Sequence, residues 1–218
     1  FAGATSTGGS DNVAVGTRSL YTNTAGQNTA SGVYALKLNT TGTCNVAIGK
    51  DALGTNTSAG GMTAVGKSAL GNNTTGAHNT AVGFLALYAN NTGVRNTAIG
   101  RSTMQSNTGN DNTASGFYAL QLSTGSCNTA HGVSALRNHT TGHNNTAIGT
   151  RSLYSNTTAS CSTAVGMYAL CANTVSANTA VGYRALWKNT SGNRNVAIGV
   201  QTLNSNTTGS SNTCIISI

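Results

Sequence analysis

With 218 residues, a formal charge of +8, only 6% charged and 5% aromatic side chains and no proline, the chain lacks the large side chains of a thick globular core. Eleven Lys and Arg stand against three acids, Asp11, Asp51 and Asp111, a balance that favours anionic partners and starves acid-base catalysis of carboxylates. No run of about eighteen apolar residues occurs, so no membrane-spanning helix is expected.

The chain opens on Phe1 without an initiator Met or a signal peptide, and so reads as a mature or excised segment. Residues 1–11 form a partial rung: Ala4 to Asp11 (ATSTGGSD) has the form of the second half of a repeat. Twelve repeats follow over about 12–211, marked by Gly16, Gly32, Gly49, Gly66, Gly83, Gly100, Gly116, Gly132, Gly149, Gly166, Gly182 and Gly199, always 16 or 17 residues apart. The phrase is approximately N-T-A-V/I-G-x-x-A-L-x-x-N-T-T-G, as in Asn79 to Leu87 (NTAVGFLAL). Ala stands two before every such Gly, and Leu four after it, with Met104 as the one substitute. Residues 212–218 (NTCIISI) begin a further rung, with Cys214 for Ala and Ile216 for Gly. A register this regular excludes disorder, which composition alone would allow.

Each unit is too short for two helices and rich in poor helix formers. T-A-V-G carries β-branched residues at alternate positions and reads as one short strand. The x-x-A-L segment reads as a second, and N-T-T-G as a turn whose Asn and Gly supply left-handed backbone. The fold expected is all-β: a parallel β-solenoid (β-helix or β-roll) of 12–13 rungs, forming a single domain over 1–218. Rungs about 4.8 Å apart would stack into a rod roughly 60 Å long. Ala, Gly and Leu columns make its thin core. The Asn column four before each Gly, and a second through Asn23, Asn39, Asn56, Asn73, Asn107, Asn156 and Asn206, are expected to form amide ladders.

The rungs Asn45 to Gly49 (NVAIG), Asn12 to Gly16 (NVAVG) and Asn195 to Gly199 (NVAIG) resemble the head repeat of trimeric autotransporter adhesins. The longer phrase resembles arrays in phage tail-fibre and bacterial surface-fibre proteins. The resemblance implies a surface-exposed β-roll fibre used for attachment, hence an extracellular location: cell surface, secreted fibre or virion. The repeat here is longer than in the adhesin head, and Thr usually replaces Val before Ala. A trimer and a single-chain solenoid both stay open.

No catalytic residues are expected. Asp11 and Asp111 are roughly 29 Å apart by strand spacing, and Asp51 lies on another face. His139 with His143, or Cys127 with His131, could touch a metal, but neither pair has the further ligands a closed site needs. The glycines recur in every rung, so they serve the coil rather than a phosphate, and no cofactor is expected. Cys44, Cys127 and Cys161 share a column in non-adjacent rungs, beyond disulfide reach. Cys161 with Cys171 is the one pairing the spacing permits, and Cys214 reads as a buried thiol.

Acceptor sequons for N-glycosylation stand at Asn39, Asn56, Asn72, Asn73, Asn90, Asn138, Asn144, Asn156, Asn189 and Asn206. They read either as a glycan edge or as a turn that happens to spell the motif. The large side chains gather close behind the Gly column. Arg18, Lys50, Lys67, Arg101, Arg151 and Arg184 lie one or two positions after a Gly, as do Tyr34, Phe84, Phe117, Tyr118, Tyr168 and Tyr183. Tyr21, Tyr88, Tyr154 and Trp187 follow the Leu. Such a stripe can hold cell-surface or anionic glycans, or pack against another copy of the chain. Nucleic acid is not an expected partner. At the ends, Ile215, Ile216 and Ile218 would meet the N-terminal segment, Phe1 included, of the next copy.

The reading is therefore a structural subunit of an extracellular fibre, assembling head-to-tail or laterally. The alternative is a carbohydrate-binding adhesion module. A lesser one is ice binding through the Thr29, Thr63, Thr80, Thr97 and Thr113 column, which Val13, Val46 and Val196 interrupt.

Overall fold

A computed structural model describes residues 9 to 216. Phe1 and Ile218, both expected at assembly contacts, lie outside the described residues, as does most of the partial first rung. The chain divides into two compact units, Phe1–Asp111 and Asn112–Ile218. The repeat passes residue 111 without a change of phrase, so the sequence carries no mark of that boundary.

Each unit is a parallel β-solenoid, and no helix occurs among the described residues. The first holds β1 (Val13–Val15), β2 (Thr29–Ser31), β3 (Val46–Ile48), β4 (Thr63–Val65), β5 (Thr80–Val82) and β6 (Thr97–Ile99). The second holds β7 (Thr113–Ser115), β8 (Thr129–His131), β9 (Thr146–Ile148), β10 (Thr163–Val165), β11 (Thr179–Val181), β12 (Val196–Ile198) and β13 (Thr213–Ile215). Within a unit every strand pairs in parallel with the next rung, Ala opposite Ala, as Ala47 faces Ala30 and Ala64. The flanking residues, mostly β-branched, point outward and the middle Ala inward, as a period of two requires. From Ala30 to Ala197 that Ala is at most 1% exposed. Ala98→Leu should therefore overpack a space shaped for a methyl and cost about 1–3 kcal/mol. An unchanged thermal melt would mean that the column faces solvent.

The second strand expected over x-x-A-L is absent. Overlapping turns replace it: Gly32 O accepts from the Ala35 N–H and Leu36 O from the Asn39 N–H, both at 3.3 Å. Backbone φ is positive two residues after each Gly and again at each Leu, from Arg18 (54°) and Leu20 (47°) to Gln201 (55°) and Leu203 (50°). Leucine in left-handed geometry costs about 1–2 kcal/mol, so a sequence pattern gives no warning of it. Burial offsets the strain. Leu36, Leu53, Leu70 and Leu87 are all 0% exposed, and burying such a side chain contributes about 1.5–3 kcal/mol. Each N–H is also satisfied one rung on, as Leu36 N–H is by Ala52 O at 3.0 Å.

The N-T-T-G glycines were expected to supply left-handed backbone, and they do not. Gly42 has no positive φ. It is glycine because a Cβ there would run into Ala59 O of the next rung. The threonines beside it bond across rungs, as Thr40 Oγ1 donates to Thr57 O at 2.8 Å.

The two Asn columns do different work. In the column four before the Gly, side chains tie to backbone rather than to each other. Asn28 Oδ1 accepts the Asn45 N–H at 3.0 Å, and its Nδ2 donates to Gly42 O at 3.0 Å. Direct amide contacts are occasional there, as from Asn145 to Asn128 at 3.1 Å. The second column is the ladder: Asn39 Nδ2 donates to Asn23 Oδ1 at 2.6 Å, Asn56 to Asn39 at 2.8 Å and Asn73 to Asn56 at 3.3 Å. In the second unit Ser123 and His139 take ladder positions. The buried His139 bonds Gly142 O through Nε2 at 2.8 Å, while its Nδ1 has no partner. Burial holds this imidazole below its ordinary 6.5, so it sits in the core as the neutral form.

Candidate functional site

The residue two after each Gly sits at a turn corner with positive φ, and its large side chains, such as Arg18, Tyr34, Arg151 and Tyr168, are exposed or half-buried. Stacking then places the same position of successive rungs about 4.8 Å apart, close enough for cations to lie over rings. In the first unit the Arg18 guanidinium lies 5.7 Å from the Tyr21 centroid and Lys37 Nζ 5.1 Å from that of Tyr34. Lys67 and Arg101, from the rungs on either side, lie 5.7 and 5.6 Å from Phe84. Lys50 pairs with Asp51 at 3.3 Å. Tyr88 leans over Gly71. With Tyr34, Lys37 and Asp51 it walls an open cavity of about 390 Å³. Gly54 and Gly71 make that hollow, since they stand where neighbouring rungs carry Lys37 and Tyr88.

The second unit is denser. Phe117 and Tyr118 meet with centroids 3.9 Å apart and ring planes tilted by 40°, and Arg137 lies over Tyr118 at 4.5 Å. Arg151, Tyr168 and Arg184 occupy one column on successive rungs, the two guanidinium carbons 5.9 and 5.8 Å from the Tyr168 centroid. Arg151 also covers Tyr154 at 5.5 Å, and Arg184 covers Tyr183 at 5.1 Å and Trp187 at 4.7 Å. Lys188 lies over the same indole at 5.6 Å. Cys171 stands in the column between Tyr154 and Trp187, and burial pushes its thiol up more than Arg151 and Trp187 draw it down.

The stripe is thus a set of cation–ring ladders, with Phe84 and Tyr168 each sandwiched between cations from neighbouring rungs. Lys37, Arg137 and Lys188 belong to it although the sequence pattern had not placed them there. Lys37 and Arg137 stand in the Tyr and Trp column itself, directly after the Leu, and Lys188 one residue further on, which was the available sign.

No protein-family model, curated protein or solved structure matches the chain. Its surfaces have to be read from their own chemistry.

Among the sequons, Asn39, Asn56, Asn73, Asn90, Asn156 and Asn189 are 0% exposed, and Asn206 bonds Asn189 in the ladder at 2.9 Å. A glycan at any of these would break core hydrogen bonds. Asn72 and Asn138 are half-buried and Asn144 is exposed, so these three offer their amides to solvent. Cys44, Cys127, Cys161, Cys171 and Cys214 are all free thiols. Cys214 is only half-buried, because β13 has a pairing partner, β12, on one side alone among the described residues. The first three stand at a positive-φ bend, with φ of 57°, 58° and 57°. In the same column Arg95 grips Asp111 with two bonds, 2.6 and 2.9 Å, and this contact lowers the Asp111 pKa.

On the outward strand face, Ser115 Oγ and His131 Nδ1 are 2.7 Å apart. The pair has nucleophile–base geometry, but the second unit contains no Asp or Glu to orient the imidazole as a triad acid would. Ile215 is 66% exposed. Ile216 keeps the path of a rung glycine, its N–H donating to Ile198 O at 3.0 Å.

Proposed function

We propose that the chain is a non-enzymatic structural segment of an extracellular fibre, held to neighbouring copies through the outward face of its strands. The observation that carries this reading is the chemistry of that face. On either side of each buried Ala stand Thr or Val and, in most rungs, Val or Ile, with no Lys, Arg, Asp or Glu in either column of any strand. Ile48 is 43% exposed and Ile99 49% in the first unit, as Ile148 is 40% in the second. Sheets pack face to face about 10 Å apart by interleaving such side chains. A monomer that repeats one apolar branch rung after rung presents a surface that another copy can cover.

The resemblance of the repeat to adhesin heads and tail-fibre arrays supports the extracellular assignment. The scarcity of carboxylates supports a non-catalytic role. Contact through the exposed Ile215 and Ile216 would add end-to-end joining to side-by-side packing.

The test is a double substitution, Ile48→Lys with Ile99→Lys, which places charges on the face without touching the core. Negative-stain micrographs and sedimentation should show the parent as bundles or filaments and the variant as single particles. A parent that stays single at high concentration, or a variant that bundles equally well, sinks the proposal. The Thr column lies on this same face beside Val and Ile. Freezing-point hysteresis in a dilute, unassociated sample would assign the face to ice instead.

A further inference from the structure

The second unit carries five cations, Arg137, Arg151, Arg184, Lys188 and Arg194, and no Asp or Glu side chain. The first unit has carboxylate partners of its own, at Lys50–Asp51 and Arg95–Asp111. All the second-unit cations except Arg194 lie on the aromatic face. Arg184 is half-buried among Tyr168, Tyr183 and Trp187, with a buried Nε that has no hydrogen-bond partner. A guanidinium held over rings still has a planar fork of N–H donors, a shape matched to a carboxylate or sulfate.

We infer that the Arg151–Tyr168–Arg184–Trp187 ladder, with Lys188, binds an acidic polysaccharide. Arg151 and Arg184 stand two rungs apart, roughly 9.6 Å by strand spacing. Duplex phosphates follow one another at about 3.4 Å of rise along each strand, so a duplex laid along the rungs would present several phosphates for each of these cations. Single-strand binders also need ring faces open for bases, whereas Tyr168 is flanked by guanidinium groups on both sides. Beside the cations the surface offers Thr150, Gln201 and the tyrosine hydroxyls, which are neutral hydrogen-bonding groups suited to a polyhydroxylated chain with widely spaced acids. The inference does not depend on fibre formation, since the ladder lies on the turns and not on the outward strand face.

Trp187 is the chain's one tryptophan, so its fluorescence reports on the site directly. The full chain is titrated with a hyaluronan octasaccharide, a chondroitin sulfate octasaccharide, a neutral cello-oligosaccharide and oligothymidylate. A saturable change with either acidic sugar, and none with the neutral one, is the expected result. Arg151→Gln and Arg184→Gln should each weaken binding roughly tenfold, as loss of a charge-assisted contact does. Arg194→Gln removes the same charge from another face and should bind like the parent. Circular dichroism checks that each variant is folded. Should Arg184→Gln fail that check, Arg184→Lys, which keeps the charge but loses the planar fork, is expected to bind more weakly as well. Equal weakening by all three Gln variants would reduce the effect to diffuse charge and overturn the site. Preference for oligothymidylate would overturn it in favour of nucleic acid, and silence toward both acidic sugars would overturn it outright.

Discussion

Gly66→Ala is expected to lower the thermal stability of the first unit by about 3 kcal/mol or more, through two penalties that add. Its φ of +133° lies where an L side chain is strained. A Cβ there would also sit 2.6 Å from Gly83 O and 2.7 Å from Gly83 C, both backbone atoms of the next rung. That backbone cannot step aside, because Gly83 N–H is already bonded to Val65 O at 2.7 Å. Gly54→Ala provides the control. Gly54 has no positive φ, and a Cβ there would find its nearest neighbour, Asp51 O, at 3.3 Å. Its effect should be within about 0.5 kcal/mol of neutral, as the unfolded chain loses some freedom with the added methyl. Because rungs contact mainly their neighbours, the damage from Gly66→Ala should be local. Hydrogen exchange should quicken first at the amides of β4 and β5. Equal melting of the two variants would mean that the glycine column is not set by close approach.

How far the sequence discloses this fold depends on which physical quantity the sequence encodes. Period, strand position and the inward Ala follow from spacing and β-branching, because those patterns reflect which side chains face the core. The turn over x-x-A-L was hidden for the opposite reason. Leu20 and its counterparts are leucine because the site is buried, and that demand outweighs the left-handed backbone that would otherwise call for Gly or Asn. The two glycine columns look alike in sequence. Gly66 answers to φ and to close approach, whereas Gly42 answers to close approach alone. The aromatic–basic stripe was visible as a composition bias, but its pairing was not. Which cation meets which ring depends on side-chain reach across rungs, and so the ring partners of Lys37, Arg137 and Lys188 emerge only from the structure. The hollow at Gly54 and Gly71 is likewise a missing side chain in an otherwise filled column.

Asn56→Ala is the second large effect, about 2–4 kcal/mol, because it takes a hydrogen bond from three buried groups at once and orphans one of them. Asn56 is 0% exposed. Its Nδ2 donates to Asn39 Oδ1 at 2.8 Å and to Ala59 O at 3.0 Å, and its Oδ1 accepts from Asn73 Nδ2 at 3.3 Å. Asn39 Oδ1 is then left without a partner, Ala59 O keeps only Asn45 Nδ2 at 3.0 Å, and Asn73 Nδ2 keeps only the Met62 sulfur at 3.5 Å. The chain itself shows a milder alternative. Ser123 holds the equivalent position in the second unit, where its Oγ accepts the Gly125 N–H at 3.1 Å. A hydroxyl can thus tie down its own turn while giving up the ladder above and below. Asn56→Ser should therefore cost roughly half as much as Asn56→Ala, since only the inter-rung bonds are lost. Urea denaturation of the three proteins reads this order directly. If alanine and serine prove equal and both lie within about 0.5 kcal/mol of the parent, as an exposed substitution would, the amide column adds nothing to stability. The stack would then be held by backbone pairing and leucine burial alone.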